Sequence, residues 1–122
     1  MFLVDTNIII YHLNQGSTAS DFLIKNYNEI SISFITFIEV LSYPYKNDEE
    51  KNIRDLLNEF KLFTIDQGII NQSIQYRRMK KIKLPDNIIA STAYINDLIL
   101  VTRTVKDFEN LGIKVLNPID DK

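Results

Sequence analysis

Phe2-Leu3-Val4-Asp5-Thr6-Asn7-Ile8-Ile9-Ile10 changes character twice within a few residues. Met1 to Val4 is a short continuous apolar run, which reads as a buried strand. It halts at Asp5-Thr6-Asn7, residue types that favour helix caps and turns, and Ile8, Ile9, Ile10, Tyr11 and Leu13 then read as an apolar helix. A strand that passes at once into a helix is the opening of a parallel α/β arrangement.

The same switch recurs along the chain. Asn14-Gln15-Gly16-Ser17 is a stop, and Thr18 or Ser20 is placed to cap a second helix ending near Tyr27. Ile30, Ile32 and Phe34 alternate with serines as a short strand would, and Ile35 to Tyr43 shifts to helical spacing before Pro44. Asn47 or Asp48 begins a charged amphipathic helix in which Ile53, Leu56, Leu57 and Phe60 form the inward face. Leu62 to Ile65 reads as a strand, and Asp66 caps a helix to about Lys81 with Ile69, Ile70, Ile74 and Tyr76 inward. After a loop over Lys80 to Lys83, Leu84-Pro85-Asp86 opens a helix to about Asn96. Leu98 to Val101 is a strand, Val105 to Leu111 a short helix ended by Gly112, and Lys114 to Leu116 the last strand. Strands that are apolar on both faces and alternate with helices predict a three-layer α/β/α sandwich around a mostly parallel sheet. The 122 residues suit a single domain, 1–122, with no repeat and no linker.

Composition excludes several classes of function. There is no Cys and one His, so a disulfide scaffold, a thiolate zinc site, a cysteine nucleophile and a histidine-rich metal site are out. Fourteen Lys and Arg against sixteen Asp and Glu leave a net charge of −2, so attraction to a nucleic acid has to be local. No apolar run reaches the roughly 18 residues of a membrane span, and the opening lacks the pattern of a signal peptide. A cytoplasmic location, with no membrane partner, is expected.

Three acids keep unusual company. Asp5 is the only acid from Met1 to Leu13, Glu39 the only charged residue from Ile30 to Tyr45, and Asp86 the only one from Leu84 to Ala93. A lone carboxylate in a segment suited to burial costs several kcal/mol unless it is paired or coordinated. Taken singly, Asp5 can be a helix cap, Glu39 a buried ion pair and Asp86 a first-turn acid favoured by the helix dipole. Taken together, Asp5 and Glu39 both follow strands, and Asp107 follows the strand Leu98 to Val101 through Thr102-Arg103-Thr104. Ligands of parallel sheets collect at such carboxyl ends. Two carboxylates about 4 Å apart repel by roughly 4 kcal/mol at an effective dielectric of 20. A cluster of them would therefore protonate or bind a cation. Oxygen-only ligands suit Mg²⁺ or Mn²⁺, and an ion held this way is suited to hydrolysing a phosphodiester.

The blocks Phe2-Leu3-Val4-Asp5-Thr6-Asn7-Ile8, Ile35-Thr36-Phe37-Ile38-Glu39-Val40-Leu41, Leu84-Pro85-Asp86-Asn87-Ile88-Ile89-Ala90-Ser91-Thr92-Ala93 and Leu100-Val101-Thr102-Arg103-Thr104-Val105-Lys106-Asp107-Phe108 together resemble a PIN domain. Their order and the small size are similar to VapC-type toxins of bacterial toxin–antitoxin pairs. The resemblance spans Met1 to Pro118 and implies a Mg²⁺- or Mn²⁺-dependent endoribonuclease, homodimeric and silenced by a cognate VapB-like antitoxin. Asp5, Glu39 and Asp86 fall on the family's three acidic metal-site positions. Many relatives carry the fourth acid where this chain has Thr104, and here Asp107 occupies a later acidic position. Thr6, Asn7 and Thr102 match supporting positions that would orient Asp5 and the metal waters.

Secondary signals surround these blocks. Arg77, Arg78, Lys80, Lys81 and Lys83 place five positive charges in seven residues. They are either a solvated helix end or a patch that tracks RNA phosphates, as Arg103 also can. His12 reads as a packed or hydrogen-bonded residue, not a base. The helices carrying Phe22, Leu23, Phe37, Leu41 and Tyr45 hold apolar surface enough for a partner helix or a second copy. Two other readings compete with the nuclease. One is a non-catalytic PIN-like module that binds RNA or protein. The other is a receiver domain, which needs an acceptor Asp on a middle strand and a late Lys and fits the block order poorly.

Overall fold

A computed structural model describes residues 1–119, and the alternation expected from the sequence is present, with the last expected helix reduced to a single turn. The strands are β1 (Phe2–Val4), β2 (Ile30–Ser33), β3 (Lys61–Phe63), β4 (Ile99–Val101) and β5 (Val115–Leu116). The helices are α1 (Thr6–Leu13), α2 (Ser17–Lys25), α3 (Phe34–Leu41), α4 (Asn47–Leu57), α5 (Gln67–Met79) and α6 (Leu84–Ile95). Single 3₁₀ turns occupy Tyr27–Glu29 and Val105–Phe108.

All strand pairs are parallel, in the spatial order β3-β2-β1-β4-β5. Leu3 lies opposite Ser31 on one side and Leu100 on the other, so β1 is central. The chain steps outward from β1 through β2 to β3, then crosses back to β4 and β5. The direction of winding therefore reverses between β1 and β4, which is where a crevice opens at the carboxyl ends of the strands.

Side chains alternate across this sheet with period two. Val4 and Val101 join Ile8, Ile9, Leu23, Val40 and Leu57 in the core beneath α1 to α4. Their neighbours Leu3 and Leu100 join Tyr76, Ile89, Ala90, Ala93, Phe108 and Leu111 in the core beneath α5 and α6. Two helical layers thus sandwich one parallel sheet. Among the described residues no helix is long and apolar enough to cross a membrane.

Three local expectations are corrected. Neither Thr18 nor Ser20 caps α2; Gly16 does, without a side-chain hydrogen bond. An added Cβ there would stand 2.5 Å from Tyr11 Cδ1 and 2.8 Å from the Tyr11 carbonyl oxygen, so the close turn out of α1 admits only glycine. In α5, Ile69 and Tyr76 are buried, but Ile70 and Ile74 are 39% and 45% exposed. They form a second stripe that faces a surface hollow with Ile65 and Leu84. The helix expected over Val105 to Leu111 is only one 3₁₀ turn, and Gly112 follows in left-handed backbone at φ 73°.

Tyr76 ties that last segment to the core. Its hydroxyl donates to the Leu111 carbonyl at 2.5 Å, and burial pushes the phenol up to about 12. Replacing it by Phe leaves a buried carbonyl without its donor, a loss of about 1–3 kcal/mol. Tyr76→Phe should therefore lower the urea midpoint with an unchanged denaturant slope, and an unchanged midpoint would show that the bond contributes nothing.

Candidate active site

Asp5 leaves β1 as the N-cap of α1, with Oδ1 accepting from the Thr6 backbone N–H at 2.7 Å. Oδ2 accepts from the Thr102 hydroxyl at 2.8 Å, and the Asp5 N–H donates to the Val101 carbonyl at 2.8 Å. Both carboxylate oxygens are thus held, Oδ1 within the first turn of α1 and Oδ2 across the gap between β1 and β4. Asp5 is only 6% exposed. Burial pushes its carboxyl up to about 6, with smaller upward contributions from Asp86 and Glu39, against the lowering effect of its two hydrogen bonds.

The polar residues after Asp5 and β4 form one network. Asn7 Nδ2 donates to Thr102 Oγ1 at 3.4 Å, and Asn7 Oδ1 accepts from the Arg103 N–H at 3.2 Å. Thr102 Oγ1 also accepts from the Thr104 N–H at 3.1 Å. Thr102 thus bonds Asp5 directly, and Asn7 reaches Asp5 only through Thr102. Thr6, whose N–H bonds Asp5, also reaches a second acid: its hydroxyl donates to Glu39 Oε1 at 2.5 Å and lies 3.1 Å from the Thr36 hydroxyl.

Glu39 departs from its expected environment. The Ser33 side chain caps α3 by accepting from Ile35 N–H, which turns Thr36 and Val40 inward. Glu39 and Ile38 are on the open side, with Ile38 57% exposed, so this acid is accessible and not walled in by its neighbours. Asp86 is half-buried in the first turn of α6. Burial raises its pKa most, the Asp107 and Glu39 charges add to that, and Lys83 opposes it. The next residue, Asn87, is fully buried and anchors the helix, donating to the Ser73 carbonyl on α5 at 3.0 Å and accepting from Ser91 at 3.1 Å.

The four acids come from four separate segments and line one open cleft of about 680 Å³ with Thr6, Asn7, Ile10, Tyr11, Asn14, Tyr43, Arg103 and Thr104. The Arg103 guanidinium sits 4.7 Å from the centroid of the Tyr11 ring, which braces it at the rim. An all-oxygen donor set suits a hard divalent cation, and the upward pressure on Asp5 and Asp86 from the neighbouring carboxylates is what such a cation relieves. Among the described residues no three His, Cys, Asp or Glu side chains are arranged to hold a metal as they stand, with Glu39 engaged by Thr6.

The basic residues divide. Lys80, Lys81 and Lys83 border a second pocket of about 300 Å³ that shares Asp86 and Asp107 with the cleft. Arg77 and Arg78 instead border the apolar hollow of Ile65, Ile70, Ile74 and Leu84. Lys106 and Tyr11 also line these pockets, and the sequence does not mark them as site residues. For Lys106, adjacency to Asp107 was the available signal. His12 hydrogen-bonds Ser20 at 2.6 Å, in keeping with its packing role.

The family model for the PIN domain matches residues 2–114. The chain is 30% identical to Ribonuclease VapC10 of Mycobacterium tuberculosis, over 88% of this chain and 86% of that protein. It superposes on a chain of a toxin–antitoxin complex from Klebsiella pneumoniae with a TM-score of 0.87 and 36% identity, covering 97% of this chain and 98% of that one. VapBC2 from Rickettsia felis, solved bound to a fragment of promoter DNA, shares the fold at a TM-score of 0.80 with 21% identity, over 95% and 97% of the two chains.

The buried Asp5 has a stability consequence with a definite sign. Its folded pKa is about 6 against 3.8 for the free group, so the folded state binds more protons between those values and stability falls as pH rises through them. The shift corresponds to about 3 kcal/mol of destabilisation above pH 6. Asp5→Asn should unfold at a higher temperature than the wild type at pH 7.5 without added metal, and the gap should close near pH 4. A gap independent of pH would refute this account of Asp5.

Proposed function

This chain belongs to the PIN-domain family, and from that membership we propose that it is a metal-dependent endoribonuclease, the toxin of a type II toxin–antitoxin pair. The observation that carries the reading is the convergence of Asp5, Glu39, Asp86 and Asp107 on one cleft at the switch point of the sheet. The 30% identity to a protein named as a ribonuclease and the 36% identity to a chain of a toxin–antitoxin complex support the reaction and its setting.

In this reading the four carboxylates hold Mg²⁺ or Mn²⁺. When bound, the ion offsets charge growing on the scissile phosphate and makes water a stronger nucleophile. The chain's own residues do the rest. Thr102 and the Thr6 N–H fix the Asp5 carboxylate in one orientation, and the Thr6 hydroxyl positions Glu39. Arg103, braced on Tyr11, offers its remaining donors to RNA phosphate. Asp107 is the fourth acid, reached from the turn after β4, while Thr104 lines the same cleft as a hydroxyl. A VapB-like antitoxin and a second copy of the chain complete the proposed assembly. Exposed apolar side chains such as Ile24 (70%) and Ile38 (57%), and the hollow on α5 and α6, provide surface for both.

Asp5→Asn, Glu39→Gln and Asp86→Asn should each lower RNA cleavage by at least about 100-fold. Thr102→Val, which removes a hydrogen bond to a metal-holding carboxylate, should lower it by about 10–100-fold. Sequencing of new RNA ends in cells expressing each protein at matched soluble levels reads the outcome. Added Mn²⁺ should raise the melting temperature of the wild type and not of Asp5→Asn. Folded variants that cut as well as the wild type would sink the nuclease and favour the binding module.

A further inference from the structure

The pocket beside the acid cleft has a chemistry of its own. Lys80, Lys81, Lys83 and Lys106 surround it, and Asp86 and Asp107 form the wall it shares with the cleft. Four lysines against two aspartates make a local excess of positive charge in a chain whose net charge is −2. Among the described residues the ion pairs are Lys51–Asp55 and Arg54–Glu50, so none of the four lysines is paired with a carboxylate.

A solvated helix end does not account for this group. Lys80 follows α5 directly, where a cation complements the helix dipole, and its Nζ donates to the Glu109 carbonyl at 3.2 Å. Lys83 is placed the opposite way. It is the N-cap residue of α6, with no side-chain cap bond, and so puts a cation at the positive end of a helix dipole. Lys106 comes from the 3₁₀ turn after β4, a different part of the chain. Asp86 in the first turn of α6 answers one of these charges, and an anion in the pocket would meet the remaining lysines and the N-terminus of α6 together.

We propose that this pocket is a phosphate subsite for single-stranded RNA, holding a phosphate that neighbours the one presented to the four acids. The identity of the ligand rests on the ribonuclease reading. The shared Asp86–Asp107 wall makes the two sites contiguous, which suits the regular succession of charges on one strand. Lysine ammoniums recognise such a phosphate as point charges, without selecting the base. Arg77 and Arg78 take no part, because they border the apolar hollow.

The test measures binding of a labelled single-stranded RNA as a function of salt in the Asp5→Asn background, with cleavage assayed in parallel in the otherwise wild-type chain. Lys83→Gln/Lys106→Gln is compared with Lys25→Gln/Lys114→Gln, an equal charge change near the amino ends of β2 and β5. The first pair should weaken RNA binding about tenfold and flatten the logarithmic salt slope by about 0.7 for each phosphate that is no longer neutralised. In cleavage it should raise KM by a similar factor with little change in kcat, and Lys83→Arg/Lys106→Arg should restore binding. Equal affinity and slope for the two Gln pairs, with unchanged melting temperatures, would overturn the subsite while leaving the nuclease intact. Loss of RNA affinity by the first pair alone, in a protein that cuts no RNA, would uphold the subsite and overturn the nuclease.

Discussion

The hydrogen bonds from Thr102 and Thr6 to the buried carboxylate of Asp5 hold together the place where the sheet reverses its winding. Asp5 follows the central strand and Thr102 follows its neighbour, so their contact closes the carboxyl edge of β1 against that of β4. Burying an ionised group costs free energy, and the upward shift of Asp5 to about 6 expresses it. Stability alone would be served better by a neutral cap. A site that gathers cations can use the strain, since the carboxylate disfavoured by burial and by its acidic neighbours is the one a cation favours most.

The remaining acids depend on this edge. Each is carried by a segment whose local structure has an independent reason: Ser33 capping α3 for Glu39, buried Asn87 locking α6 to α5 for Asp86, and the Tyr76–Leu111 bond anchoring the segment that follows Asp107. Rigid elements thus set the positions, with Glu39 held by the Thr6 hydroxyl and the Asp107 side chain exposed to solvent. Preorganised helices carrying such carboxylates are well suited to binding an ion together with a substrate phosphate.

Charge is distributed to the same end. A net negative chain does not attract nucleic acid at long range, yet the lysine pocket and Arg103 border the acids on adjoining sides. Screening limits such fields to about 8–10 Å at ordinary ionic strength, so local placement governs contact with a strand. On the proposed reading, an RNA is positioned by short-range contacts beside the acids, not by the overall field of the protein.

The sequence by itself determined the strand–helix alternation, the parallel three-layer class and the identity of the acids that stand alone in apolar segments. These are local properties: period-two and helical spacing, Asp66 and Asp5 as caps, Pro85 at the start of α6. Tertiary structure decided what depends on the packing of distant segments. Isoleucine periodicity could not tell that Ile69 points to the sheet while Ile70 and Ile74 face a hollow, because α5 carries two apolar stripes and only the sheet selects between them. The apolar neighbours of Glu39 suggested burial, but Ile38 and Glu39 lie on the open side of α3. One basic run became two groups, Arg77 and Arg78 at the hollow and the lysines beside the acids, since the chain turns between α5 and α6. Spacing along the chain encodes which residues share an element; which elements share an edge is encoded only by the order β3-β2-β1-β4-β5.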